Sequence, residues 1–227
     1  MLDAGRMRVL AVGLLLAASA GICAVPVSRP TQFDICQGCH GVFAQGNAEL
    51  GAPRIAGLDA EYIGRQLADF RDGRRGAGDS FGTQMAAIAS MLDDTAIGRL
   101  SAYVSAMPEV RMTPARGADL ANGKGIYATC AACHGENGEG GASLGSPRLA
   151  GMSDWYLARQ FALFASGKRG STAGDERGSA MRGIAASVTS ADAQRDVIAY
   201  AVSLQLPASI SSKACANDQT ESCGSSR

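Results

Sequence analysis

Cys36-Gln37-Gly38-Cys39-His40 and Cys130-Ala131-Ala132-Cys133-His134 are the stretches on which the reading of this chain turns. Cys-x-x-Cys-His is the attachment signature of a c-type haem: two thiols placed to form thioethers with the haem vinyl groups, and an adjacent imidazole that binds the iron from one face. His40 and His134 are the only two histidines in the protein, so no imidazole is left for the second face of either iron. A thioredoxin-like dithiol wants a βαβ setting, which this sequence lacks. Zinc wants four nitrogen or sulfur ligands, and each motif supplies three with no further Cys or His in its unit. The expected cofactors are therefore two covalently bound haem c groups, with Cys36, Cys39, Cys130 and Cys133 as the thioether positions and His40 and His134 as iron ligands.

The two motifs lie in register within an internal repeat. An offset of 94 residues carries Cys36 onto Cys130 and Gly51-x-Pro53-Arg54-Ile55-Ala56-Gly57 onto Gly145-x-Pro147-Arg148-Leu149-Ala150-Gly151. It also carries Tyr62, Arg65, Gln66, Phe70, Gly73 and Arg75 onto Tyr156, Arg159, Gln160, Phe164, Gly167 and Arg169. Two residues are gained after that, and Met85-x-x-Ile88-Ala89 matches Met181-x-x-Ile184-Ala185 at an offset of 96. The boundaries expected are a signal segment over 1–24, domains over 25–106 and 118–206, a linker over 107–117 holding Pro108 and Pro114, and a tail over 207–227.

Each copy reads as helical. Asp59 is placed to cap a helix ending near Asp72-Gly73, with Ile63, Leu67 and Phe70 on one stripe; Leu157, Phe161 and Phe164 repeat the stripe after Ser153-Asp154. A helix from Asp93-Asp94 carries Ile97, Leu100 and Val104 and stops before Pro108, and a counterpart runs from about Ser190 to before Pro207. Helices from about Thr31 and Ala118 lead into Cys36 and Cys130. No alternating β pattern of useful length occurs, so the fold class is all-α, with cores small enough to need the apolar bulk of a haem.

With histidine exhausted, methionine thioether is the candidate for the remaining axial position. Of eight methionines, Met85 and Met181 alone match each other in the repeat, 45 and 47 residues after their histidines. Each is expected to follow a Gly-rich loop, to precede a helix, and to fold over the open haem face; the competing role is to fill a core gap. Pro53 and Pro147 either lend a carbonyl to the ring N–H of the iron-binding histidine or serve as plain turn residues. Arg54, Arg148, Arg75 and Arg169 are candidates to pair with haem propionates. Tyr62, Tyr156, Trp155, Gln66 and Gln160 either reach propionates and the interdomain surface or pack amphipathic helices.

Formal net charge is zero, which argues against nucleic acid as a partner. Arg6 and Arg8 followed by an apolar run from Val9 to Ala20 read as an export signal, cleaved after Ala20 or Ala24, or else retained as an anchor. Export fits covalent haem and places the chain in the periplasm, with membrane contact only through a partner or an uncleaved signal. Cys215 and Cys223 in the tail are expected to form a local disulfide.

These residues together resemble the tandem dihaem class I cytochromes of the cytochrome c4 type, over roughly residues 30 to 205. The resemblance rests on Cys36-x-x-Cys39-His40-Gly41, the Pro53-Arg54-x-Ala56-Gly57 turn, the Tyr62…Gln66-Leu67…Phe70…Gly73-x-Arg75 helix and Met85, each recurring in the second copy with Phe161 in place of Leu67. It implies two cytochrome c domains related by a pseudo-two-fold axis, and single-electron transfer with no catalytic residues. The implied partners are a terminal oxidase, a cytochrome bc1-type complex or a dehydrogenase. An alternative is the haem subunit of a larger sulfide- or alcohol-type dehydrogenase. A dihaem peroxidase or thiosulfate-oxidising enzyme stands further off, because two equal Met ligands would leave no open iron.

Overall fold

The structure is a computed structural model and describes residues 27–108, 112 and 116–205. The export segment, most of the connector, and Cys215 and Cys223 lie outside the described residues. Among those described, there are eight helices and no strands, only the isolated bridges Asn47–Ala52 and Gly141–Ser146. The first copy holds α1 (Phe33–His40), α2 (Ala60–Arg71), α3 (Ser80–Ala89) and α4 (Asp94–Ser105). The second repeats them as α5 (Leu120–His134), α6 (Asp154–Ala165), α7 (Glu176–Ser187) and α8 (Ala191–Ser203). No helix among the described residues is long and apolar enough to cross a membrane.

The helix starts follow from capping chemistry. Asp59, Asp79 and Asp93 accept the N–H groups of Tyr62, Gly82 and Ala96, and Asp119, Asp175 and Ser190 do the same for α5, α7 and α8. The apolar stripes bury as expected: Ile63 and Phe70 on α2, Ile97, Leu100 and Val104 on α4, Phe161 and Phe164 on α6. Met85 and Met181 each precede a helix, α4 and α8, as expected, and the segments that carry them are themselves helical, α3 and α7.

Aromatic pairs join the first and last helix of each copy. Phe33 meets Tyr103 edge-on at 5.2 Å, and Tyr127 meets Tyr200 at 5.4 Å. The α5–α8 crossing is the tighter. A Cβ on Gly123 would sit 2.2 Å from the Asp196 carbonyl oxygen, and because that neighbour is backbone it cannot step aside. Gly123→Ala should therefore cost roughly 2–3 kcal/mol of overpacking, read as a lowered denaturation midpoint of the second domain.

The two cores interlock. Met152, from the second copy, is 3% exposed and belongs to the first copy's apolar cluster with Phe33, Leu58, Ile97 and Leu100. Leu157 borders both clusters. The repeat places Leu58 opposite Met152, so the two copies use this position at one shared junction.

Candidate haem sites and the interdomain knot

α1 and α5 run through the whole of their Cys-x-x-Cys-His motifs. Spacings of three and four residues put Cys36, Cys39 and His40 on one helical face, and likewise Cys130, Cys133 and His134. Cys36 and Cys130 are half-buried, Cys39 and Cys133 are exposed, and none of the four is in a disulfide. Both imidazoles are buried, at 6% and 8% exposure.

A second loop locks each ring. The N–H of Gly46 donates to the His40 carbonyl at 2.8 Å, and the N–H groups of Ile55 and Ala56 donate to the carbonyl of Ala44 at 2.9 and 3.1 Å. Gly140, Leu149 and Ala150 make the same bonds to His134 and Gly138. These clamps bring the Pro-Arg turn over the histidine, and His40 Nδ1 lies 2.8 Å from the Pro53 carbonyl, as His134 Nδ1 does from Pro147. A carbonyl only accepts, so Nδ1 carries the proton and Nε2 presents its lone pair. Burial lowers both imidazole pKa values, against the raising effect of the proline carbonyl. A neutral, oriented imidazole beside two unpaired thiols fits a covalently attached haem. The two roles left open for Pro53 and Pro147 are thereby decided in favour of the carbonyl contact.

Met181 and Cys130 both border the second apolar cluster, and Cys36 borders the first. Met85 is half-buried at the matching position on α3. Met152 is engaged elsewhere: its sulfur lies 3.1 Å from Arg54 Nη2, and Arg54 is fully buried and also donates to the Ala56 carbonyl at 2.6 Å.

Arg75 and Arg169 meet between the domains. Arg75 donates to Gln66 Oε1 at 2.6 Å in its own copy, and across to the Tyr156 hydroxyl at 2.9 Å and Gln160 Oε1 at 3.1 Å. Arg169 donates to Gln160 Oε1 at 2.6 Å and across to Gln66 Oε1 at 2.7 Å. The guanidinium groups lie over Phe70 and Phe164 at 4.3 and 4.4 Å from the ring centres. An outer pair closes the junction, with Arg65 donating to the Gly145 carbonyl and Arg159 to that of Gly51 at 3.0 Å. The repeat exposed all of these positions in the sequence, but no local signal says that Arg65 and Arg159 cross between copies, nor that Met152 does. Two cations held by neutral amides and a phenol make a junction suited to anionic groups. Gln66→Leu leaves donors of both guanidinium groups without an acceptor and should cost about 2 kcal/mol, measured by denaturant unfolding of the holoprotein.

The cytochrome c family profile matches residues 31–108 and 120–205, one match per copy. The chain is 37% identical over 146 residues to the thiosulfate dehydrogenase electron acceptor of Stutzerimonas stutzeri (strain A1501), covering 59% of this chain and 64% of that protein. It is 34% identical over 210 residues to the thiosulfate dehydrogenase electron acceptor of Thiomonas intermedia (strain K12), covering 87% and 91%. With cytochrome c4 of Azotobacter vinelandii it shares 32% identity over 174 residues, covering 70% and 79%. The crystal structure of reduced recombinant cytochrome c4 from Pseudomonas stutzeri superposes with a TM-score of 0.63 at 28% identity, covering 77% of this chain and 95% of that one. The chain belongs to the cytochrome c family, as an electron-carrying dihaem cytochrome of the c4 type with two covalently bound haem c groups.

Proposed function

We propose that this chain accepts electrons one at a time from a periplasmic dehydrogenase of the thiosulfate-oxidising kind and passes them to a terminal oxidase or a similar acceptor. The supporting observation is the likeness to the Thiomonas intermedia electron acceptor, which spans 91% of that protein. In this reading Cys36, Cys39, Cys130 and Cys133 hold the haems, with His40 and Met85 as axial ligands in one domain and His134 and Met181 in the other. The haem supplies a one-electron couple, raised in potential by a thioether ligand. The protein's part is to hold each imidazole as a neutral ligand, to surround the porphyrin with apolar side chains, and to set Arg75 and Arg169 near the propionates. The working units are residues 25–106 and 118–206, joined by 107–117, exported by 1–24 and followed by a tail over 207–227.

The experiment is to mix the oxidised holoprotein with the thiosulfate dehydrogenase of Stutzerimonas stutzeri and thiosulfate, and to follow haem absorbance. Reduction of both haems at catalytic enzyme concentration supports the reading. A chain left oxidised by that enzyme, yet reduced by dithionite, excludes this donor.

A further inference from the structure

The two haem motifs share a backbone but not a charge. After His134 the chain runs Gly135-Glu136-Asn137-Gly138-Glu139, where the first copy has Gly41-Val42-Phe43-Ala44-Gln45. One bond closes both loops: the Asn137 N–H donates to Glu139 Oε2 at 2.9 Å, and the Phe43 N–H to Gln45 Oε1 at 3.0 Å. Both loops are pinned to the neighbouring histidine, with the N–H of Gly140 on the His134 carbonyl and that of Gly46 on the His40 carbonyl, each at 2.8 Å. The side chains turn back over the motif. A Cβ on Gly135 would lie 2.8 Å from Glu139 Oε1, and one on Gly41 would lie 2.5 Å from Gln45 Oε1. Glycine at both positions, at a positive φ of 82°, leaves that space. A half-buried carboxylate thus lies against the residue after His134, and a half-buried neutral amide of the same shape lies against the residue after His40.

We propose that Glu139 is a potential-setting residue, whose carboxylate holds the second haem below the first and so gives electron transfer inside the chain a direction; this rests on the electron-carrier reading above. A fixed negative charge favours ferric over ferrous iron, because ferric iron carries one more positive charge. Glu139 therefore weakens the hold of the second haem on its electron, and Gln45 has no such effect on the first. An electron that arrives on the second haem passes to the first, oxidising one iron as it reduces the other. The remaining charges peculiar to the second loop and to α7 offset one another. Glu136, Glu176, Arg177 and Arg182 stand where the first copy has Val42, Ser80, Phe81 and Ala86. They are two acids and two bases, all exposed, and water and salt screen them. On α1, Asp34 is paired with Arg29. Glu139 is the acid of this group that is half-buried and fixed in direction.

Spectroelectrochemical titration of the full holoprotein tests this with two near-isosteric exchanges. Each wave is assigned to its haem by its displacement in Met85→Ala or Met181→Ala. Glu139→Gln keeps the loop bond and removes the charge. It should strengthen the second haem's hold on its electron about fivefold, roughly 40 mV at about 59 mV per tenfold, and leave the first haem's wave in place. Gln45→Glu should weaken the first haem by a like factor, and the two exchanges together should reverse the order of the haems. A second wave that stays in place in Glu139→Gln overturns the proposal, as do two waves that move together in either variant. Haems that cannot be reduced and reoxidised reversibly, in protein whose absorbance shows two of them, would instead overturn the electron-carrier reading and this inference with it.

Discussion

Met85→Ala should remove the red-region methionine–iron charge-transfer band of one haem and leave that of the other, and Met181→Ala should do the converse. The reduction potential of the affected haem should fall by on the order of 200 mV, within the roughly 0.8 V that axial ligands command. The cause is the loss of a soft thioether that favours ferrous iron. The effect should stay local, because α3 and α7 sit in separate copies. Met152 provides the control. Its sulfur faces Arg54 in the first copy's core, and Met152→Leu, which installs the residue found at position 58, should keep both bands. Spectroelectrochemical titration of the three variants reads all of this. A band that survives Met85→Ala would remove Met85 from the ligand set.

Cys36→Ser/Cys39→Ser should halve the covalent haem content and unfold most of the first domain. Its apolar cluster includes Phe33, Leu58, Ile63, Leu92, Ile97 and Leu100, but a domain of about 80 residues is marginal without an added apolar body. The damage should spread. Met152 would lose its pocket, and the bonds of Arg75 to Tyr156 and Gln160 would go. The second domain should then melt about 5–10 °C lower, taking roughly 1–2 kcal/mol for the lost junction. Haem quantitation and calorimetry check both statements. Two independent transitions, with the second unmoved, would show that the domains are not energetically joined.

Much of this was legible in the chain because the physics was local. Asp59 and Asp93 cap the helices expected from them, and the stripes of Ile63, Phe70, Ile97 and Leu100 bury on schedule. The helix leading into each motif also depends on short-range pattern, and the repeat shows as the same motifs in register. Helices α3 and α7 were harder to place, since Gly82 and Gly178 lower helix propensity. Their reason is tertiary: a Cβ on Gly82 would come within 2.8 Å of the Gly76 Cα, and in the second copy a Cβ on Gly170 would sit 2.2 Å from the Gly178 carbonyl oxygen. Asp79 and Asp175 cap the two helices. The junction was least legible. Arg75 and Arg169 could be singled out by repetition, but their exchange of Gln66 and Gln160 depends on how one copy turns against the other.

Under the proposed ligation both irons are closed by one histidine and one methionine, which would make the chain a carrier rather than a catalyst. Near-infrared magnetic circular dichroism of the oxidised holoprotein tests it most directly. Two low-spin haems are expected, both with histidine–methionine signatures and neither binding added azide at low concentration. A high-spin haem, or one that takes up azide readily as isolated, would contradict it and return the chain to the class of haem enzymes.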